Sequence, residues 1–212
     1  MEKDGWRFVG PAGILAVILL VWGWTGGGLV AVVAGVLCAV AGGFLVFFFR
    51  DPQRQPPDGE GWIVSPADGR VLSVDTVHGG RRVAIFLSVF NVHVNRAPAT
   101  GTVKEIDYKR GRFLKAYDPR ASTENERVVV TMDSACGLIE FALIAGILAR
   151  RVVCRLSEGQ HVRLGERIGL IRFGSRAEVV VPSTATLLVK PGDRVAGGLT
   201  PLARYGTGNP HA

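Results

Sequence analysis

The residues best suited to chemistry in this chain gather around one Gly-Ser step. Phe173-Gly174-Ser175-Arg176 interrupts an alternating run, with residues 168–171 before it and 179–181 after it. On local grounds such a step between strands is a bulge or a turn. It can also be an internal nucleophile. Glycine leaves an approaching hydroxyl unobstructed and tolerates the strained backbone that would bring its own carbonyl carbon to Ser175. A hydroxyl needs a base to remove its proton, so the reading depends on finding one.

His93 is the best base among four histidines. It lies in residues 86–96, between β-branched neighbours, and Pro98 and Gly101 follow. A lone strand histidine is otherwise a structural residue. His211 sits in a tail, His78 beside a Gly-Gly turn, and His161 in a turn whose later copy carries Arg194. Asp68, in Pro66-Ala67-Asp68-Gly69, is an ordinary turn residue by position. It could also hold the imidazole in one tautomer, as the acid of a Ser-His-Asp triad does. No metal-ligand spacing is present, and the Gly-Gly pairs lack the helix and lysine of a phosphate-binding loop. Cys38, Cys136 and Cys154 read as small buried hydrophobes, an odd number that suits a reducing compartment.

The elements that must position these groups are mostly strands. Period-two runs at 70–74, 83–87, 128–132 and 178–181 are rich in β-branched residues and bounded by Gly, Pro or Asp. Residues 144–151 place Ile144, Ile147, Leu148 and Arg151 at helical spacing and predict a short helix. A turn recurs 32 residues apart, at 65–71 and 97–103, with a looser third copy at 181–187. Another, Glu158-Gly159-Gln160-His161-Val162, is answered 33 residues later by Pro191-Gly192-Asp193-Arg194-Val195. These patterns predict a mainly β, α+β unit: a β-sandwich or flattened barrel of interlocking hairpins, resembling biotinyl and lipoyl domains. A carrier lysine at a hairpin tip is lacking; Lys190 beside Pro191-Gly192 stands outside such a tip.

The N-terminus is different. Residues 8–49 hold no Asp, Glu, Lys, Arg or His in 42 positions. Two apolar runs, 8–24 and 29–49, have 17 and 21 residues around Thr25-Gly26-Gly27-Gly28. About 20 helical residues cross a bilayer, so a two-helix transmembrane hairpin over 1–50 is predicted, with a shallow re-entrant pair as its competitor. Lys3 and Arg7 flank one end and Arg50 and Arg54 the other, which puts both ends and the following domain in the cytoplasm. Residues 51–61 read as a linker and 62–212 as the catalytic domain. The chain carries +7 overall, a charge that favours anionic surfaces; its aromatics do not interleave with its basic residues as a nucleic-acid binder's would.

Four motifs in order then carry a resemblance: Ser-Pro-Ala-Asp-Gly at 65–69, Phe-Asn-Val-His-Val-Asn-Arg-Ala-Pro at 90–98, Ala-Arg-Arg-Val-Val at 149–153 and Ile-Arg-Phe-Gly-Ser-Arg at 171–176. From about residue 65 to 202 the chain resembles the short-form phosphatidylserine decarboxylases. The resemblance implies cleavage between Gly174 and Ser175 into a β chain (1–174) and an α chain (175–212). Ser175 would become a pyruvoyl group, the covalent cofactor that forms a Schiff base with the substrate, with His93 as general base and acid and Asp68 orienting it. Asn91, Asn95, Arg96, Phe173 and Arg176 would line the substrate site. The implied partners are an anionic phospholipid and its membrane, and the two chains of one precursor; the products are phosphatidylethanolamine and CO2. A homo-oligomer is left open.

Two other functions fit the same residues. One is decarboxylation of a related seryl lipid of the archaetidylserine type; the other is a non-catalytic, membrane-anchored β-domain. The chain departs from long-form relatives, which carry Leu-Gly-Ser-Thr at the processing step and another histidine at the position of Arg96. Asn91 stands where some relatives have Asp. Residues 110–127 permit either a mobile lid or a plain surface loop.

Overall fold

In the computed structural model, residues 2–147, 151–171 and 174–206 are described. They fall into two compact units, Met1–Pro52 and Gln53–Ala212.

The first unit is helical. Helix α1 (Trp6–Trp22) and helix α2 (Gly28–Phe48) are separated by a break in which Gly26 and Gly28 take φ of 135° and 72°. Their contacts run in antiparallel order, since Gly35 lies against Leu20 and Gly42 against Ala12, while the Glu2 amide donates to the Phe49 carbonyl. A Cβ at Gly35 would come within 2.7 Å of Leu20 Cγ, so this small residue lets the helices approach closely. Gly10, Gly13 and Gly43 face open space and play no such part. Most large apolar side chains of both helices point outward, among them Leu15, Ile18, Val30, Leu37 and Val40. A helix pair that buries little of its apolar surface internally suits an apolar solvent.

The second unit is β-rich, and all of its paired strands run antiparallel. In chain order the strands are β1 (Trp62–Val64), β2 (Gly69–Val77), β3 (Gly80–Leu87), β4 (Val94–Arg96), β5 (Gly101–Lys109), β6 (Arg127–Ser134), β7 (Gly137–Ala145), β8 (Val152–Cys154), β9 (His161–Val162), β10 (Arg167–Ile171), β11 (Ser175–Pro182), β12 (Ala185–Leu187), β13 (Arg194–Val195) and β14 (Pro201–Tyr205). A curled eight-stranded sheet has the order β13-β2-β3-β11-β7-β6-β5-β9, and two three-stranded sheets, β1-β14-β12 and β4-β10-β8, complete the unit. One core joins all three, with Ile85, Val130, Phe141 and Val179 from the large sheet against Ile63, Leu202, Ile168 and Ile171 from the small ones. Each such side chain contributes roughly 1.5–3 kcal/mol by leaving water. The expected mainly β architecture is what the chain forms.

Alternation explains most of the strands, and one expectation fails on it. Ile144 and Ala145, placed by spacing in a helix, end strand β7; residues 148–150 of that expected helix lie outside the described residues. Leu143 and Ala145 face the core, while a segment at 111–126 covers the other side, where Asn125 Nδ2 donates to the Ala145 carbonyl at 2.7 Å. A strand buried on both faces reads as a continuous apolar run, and such a run mimics a buried helix. The same segment is docked on the sheet: Ser122 Oγ donates to Glu178 Oε1 at 2.7 Å and Tyr117 meets Phe86 edge-on. Part of the expected linker is docked as well, because Arg54 pairs with Asp68 and Pro56 packs at Gly165.

Candidate active site

Ser175 opens β11, the strand between β3 and β7, and it sits opposite Leu87 on one side and Ala145 on the other. Its side chain is fully buried, and its Oγ has no hydrogen-bond partner among the described residues. A buried hydroxyl left unsatisfied costs about 1–3 kcal/mol, a cost that structural serines avoid. Gly174 before it has φ of 54°, in the left-handed region that only glycine enters without strain. The Gly174 carbonyl packs onto the Cα of Gly146, just beyond the end of β7. A Cβ on residue 146 would overlap the carbonyl oxygen and lie 3.0 Å from the carbonyl carbon. The peptide bond before Ser175 is thus held against a surface made by the absence of a side chain.

His93 comes to this end of the sheet through a tied turn. Beyond Leu87, the Asn91 side chain closes residues 88–91, with Oδ1 accepting from the Ser88 amide at 2.9 Å and from Ser88 Oγ at 2.8 Å. His93 follows, fully buried, and its carbonyl accepts from the Ile171 amide at 3.3 Å. The chain at 87–93 therefore runs beside the chain at 171–175, joined at Leu87–Ser175 and again at His93–Ile171. Nδ1 of His93 is 2.9 Å from the Asn91 carbonyl. A carbonyl only accepts, so Nδ1 carries a proton, and in the neutral ring the lone pair is then on Nε2. This is the tautomer a general base requires.

Asp68 is engaged elsewhere. Its two carboxylate oxygens take a bidentate contact from Arg54, with Nη2 to Oδ2 at 2.9 Å, and the Gly197 amide donates to Oδ1 at 2.7 Å. The nitrogen of His93 that a triad aspartate would hold meets a backbone carbonyl instead. The Asp68 turn still borders the histidine strand, since the Pro66 carbonyl accepts from the Arg96 amide at 2.9 Å and from Asn95 Nδ2 at 3.4 Å. All four sequence motifs thus meet in one place, the described part of the fourth through Val152 opposite Ile171. The family model for phosphatidylserine decarboxylase matches residues 41–203. The chain belongs to the phosphatidylserine decarboxylase family.

Its curated relatives agree over most of their length. The phosphatidylserine decarboxylase proenzyme of Chlorobaculum tepidum is 44% identical over 182 residues, which cover 81% of this chain and 84% of that protein. That of Magnetococcus marinus is 41% identical over 212 residues, covering 96% and 94%. That of Solibacter usitatus is 46% identical over 180 residues, covering 83% and 88%. The resemblance read from the motifs is therefore a relationship along nearly the whole chain.

As a phosphatidylserine decarboxylase homologue, the chain places its remaining candidates unevenly. Asn95 is fully buried in β4, two residues beyond His93, and its Oδ1 has no partner among the described residues. Arg96 is buried too and donates through Nη1 to the Gly165 carbonyl at 3.0 Å. Asn91 shapes the turn. Phe173 lies outside the described residues. Arg176 alternates to the opposite face of β11 from Ser175, where its Nε donates to Glu178 Oε1 at 2.6 Å, with Arg82 near the other oxygen. It does not share the side of the sheet on which Ser175 is buried.

Sequence reasoning passed over Gly146 and Asn125, and read Arg54 only as a charge flanking the apolar runs. Gly146 directly follows the apolar run that ends in Ile144 and Ala145, and that position was its only signal. Asn125 is fully buried and tied through its amide to Leu114 and Ala145, which fixes the end of β7 beside Gly146. Nothing local marks it. The residues around 175 also fit a group made from the chain itself. They supply a buried hydroxyl without a partner among the described residues, a glycine carbonyl in left-handed backbone, and an imidazole held through Nδ1 at the same sheet end.

Proposed function

We propose that this chain is a proenzyme that cleaves itself between Gly174 and Ser175 and then decarboxylates phosphatidylserine to phosphatidylethanolamine and CO2. The observation that carries the reading is the buried Ser175 hydroxyl, without a partner among the described residues, beside the left-handed Gly174. In the first step Ser175 Oγ adds to the Gly174 carbonyl carbon while His93 Nε2 accepts the hydroxyl proton. The C–N bond breaks, the amide nitrogen takes a proton, and an ester joins Gly174 to the Ser175 oxygen. Loss of the Ser175 Cα proton then breaks the Cβ–O bond. This frees a carboxylate at Gly174 and leaves a dehydroalanine, which water converts to a pyruvoyl group with release of ammonia.

The pyruvoyl group supplies an electron-accepting carbonyl for the loss of CO2 from the bound serine headgroup. The chain's own residues do the rest. His93, held by the Asn91 carbonyl, returns a proton to the headgroup carbon. Asn95, with an oxygen still to be satisfied, offers an acceptor to the substrate ammonium. Asp68 positions the site through the turn it shares with Arg54, rather than through the imidazole.

The two fragments stay together by strand pairing. β11 belongs to the α chain and keeps register with β3 from Ser175↔Leu87 to Pro182↔Gly80, and with β7 from Ser175↔Ala145 to Val180↔Glu140. The outward apolar faces of α1 and α2 support insertion in a membrane. The basic residues at both outer ends support a cytoplasmic location for those ends.

The test uses phosphatidylserine labelled in its carboxyl carbon, in vesicles, with the full chain. Wild type is expected to release labelled CO2 and form phosphatidylethanolamine, and Ser175→Ala to release none and remain one chain. Release of CO2 by Ser175→Ala, or none by a cleaved wild type, would overturn the proposal.

A further inference from the structure

Ser175 sits where three neighbouring strands end together, because Leu87 closes β3 and Ala145 closes β7 on either side of it. Neighbouring strands are about 4.8 Å apart, so the chain leaves this end at two points roughly 10 Å apart. At both points it displays a large apolar side chain to solvent. Phe90, three residues past Leu87, is 67% exposed, and Ile147, two residues past Ala145, is 55% exposed. Tyr117 adds a third at 58%. It comes to the same end because its ring contacts Phe86 edge-on and its neighbour Ala116 lies beside Gly146.

These side chains are not on slack chain. The Asn91 amide cap holds the turn that carries Phe90, and Asn125 fixes the strand end that precedes Ile147. Exposed Lys115 places its ammonium 5.8 Å from the Tyr117 ring centroid, and Arg151 is exposed beyond Ile147. Apolar side chains held outward around a reactive centre, with cations among them, mark an interaction surface. The chemistry matches one partner. An apolar tip enters the acyl boundary of a bilayer, and a cation beside it meets anionic headgroups.

We propose that Phe90, Ile147 and Tyr117 form a rim that dips into the bilayer surface at the sheet end that carries Ser175, with Lys115 and Arg151 on the headgroups. The rim lets a serine headgroup enter from the membrane while its acyl chains stay there. This inference rests on the lipid decarboxylase reading above and names how that site meets its substrate.

The test compares two presentations of one headgroup to the full chain reconstituted in phosphatidylcholine vesicles. Long-chain phosphatidylserine is supplied within the bilayer, and dihexanoyl phosphatidylserine is supplied as monomers from water. For Phe90→Ser/Ile147→Ser, turnover of the bilayer substrate should fall at least tenfold. Self-cleavage and turnover of the monomeric substrate should stay within twofold of wild type. Equal loss on both substrates, or no loss on the bilayer substrate, would overturn the rim while leaving the decarboxylase reading intact. A cross-linked dimer of wild type that the double variant abolishes would overturn it too, by giving the patch to a second copy of this chain. A cleaved wild type inert on both presentations would overturn the decarboxylase reading and the rim with it.

Discussion

Replacing Gly146 with alanine puts a methyl group into space that the Gly174 carbonyl occupies. The new Cβ overlaps the carbonyl oxygen, stands 3.0 Å from the carbonyl carbon and lies 3.3 Å from Ala116 Cβ. Ala116 is buried, and Asn125 holds the adjoining chain through hydrogen bonds to Leu114 and Ala145, so the methyl has no easy retreat. To regain ordinary contact distance the carbonyl must move by on the order of 1 Å, and a misplacement of that size costs about 100-fold in rate. A hundredfold loss corresponds to about 2.7 kcal/mol of barrier. The assay follows the disappearance of full-length chain after synthesis, by denaturing gel and by mass. Gly146→Ala should process about 100-fold more slowly than wild type. Overpacking also costs roughly 1–3 kcal/mol of stability, so the same substitution is compared in a Ser175→Ala background, where no cleavage confuses the melt. A folded Gly146→Ala chain that processes within threefold of wild type would refute the idea that this contact seats the scissile carbonyl.

Other consequences are equally direct. His93→Gln removes the base and should slow self-cleavage about 10²- to 10⁴-fold, read from the same gel; cleavage at the wild-type rate would exclude His93 from that step. Asp68→Ala leaves the largely buried Arg54 guanidinium without its carboxylate, a loss of about 3–5 kcal/mol to be read by denaturant unfolding in the Ser175→Ala background. Slower cleavage by Asp68→Asn with undiminished stability would instead favour a direct hold on His93. Burial pushes the Cys136 and Cys154 thiols up, which lowers their thiolate fraction at any given pH. In the folded chain both should therefore alkylate slowly with iodoacetamide at pH 8, speeding up as pH climbs beyond the ordinary thiol range or on unfolding. Rapid labelling of either in the folded chain at pH 8 would contradict that assignment.

The strands were legible because one face of the sheet is wet along much of its length. Alternation in residues 70–74 and 128–132 follows strands β2 and β6, and the Gly-Ser interruption falls at the start of β11. Where the second face is covered, the signal disappears, as at Ile144 and Ala145. The same parity that marks a strand also decides Arg176. One residue after Ser175 it must face the other way, and Glu178 two residues on collects its charge. The partner of Asp68 was not legible, because Arg54 lies 14 residues away in a stretch whose prolines suggest only a linker. Nor was the carbonyl that sets the His93 tautomer. A backbone group leaves no mark in residue type, so an acid was sought where Asn91 already supplies the acceptor. Gly146 shows the same limit from the other side, since its contribution is a missing side chain that matters only once β7 and β11 are paired.

Breakage of the chain at Gly174–Ser175, the step that makes its reactive carbonyl, is read from the intact mass of the purified protein under denaturing conditions. Two species are expected, of 174 residues and of 38 (212 − 174). The shorter should lack the mass of one ammonia relative to a peptide beginning with Ser175, because its amine gives way to a keto oxygen and its side-chain hydroxyl is lost to leave a methyl group. A single 22.7 kDa chain, or a 38-residue fragment that still begins with serine, would contradict it.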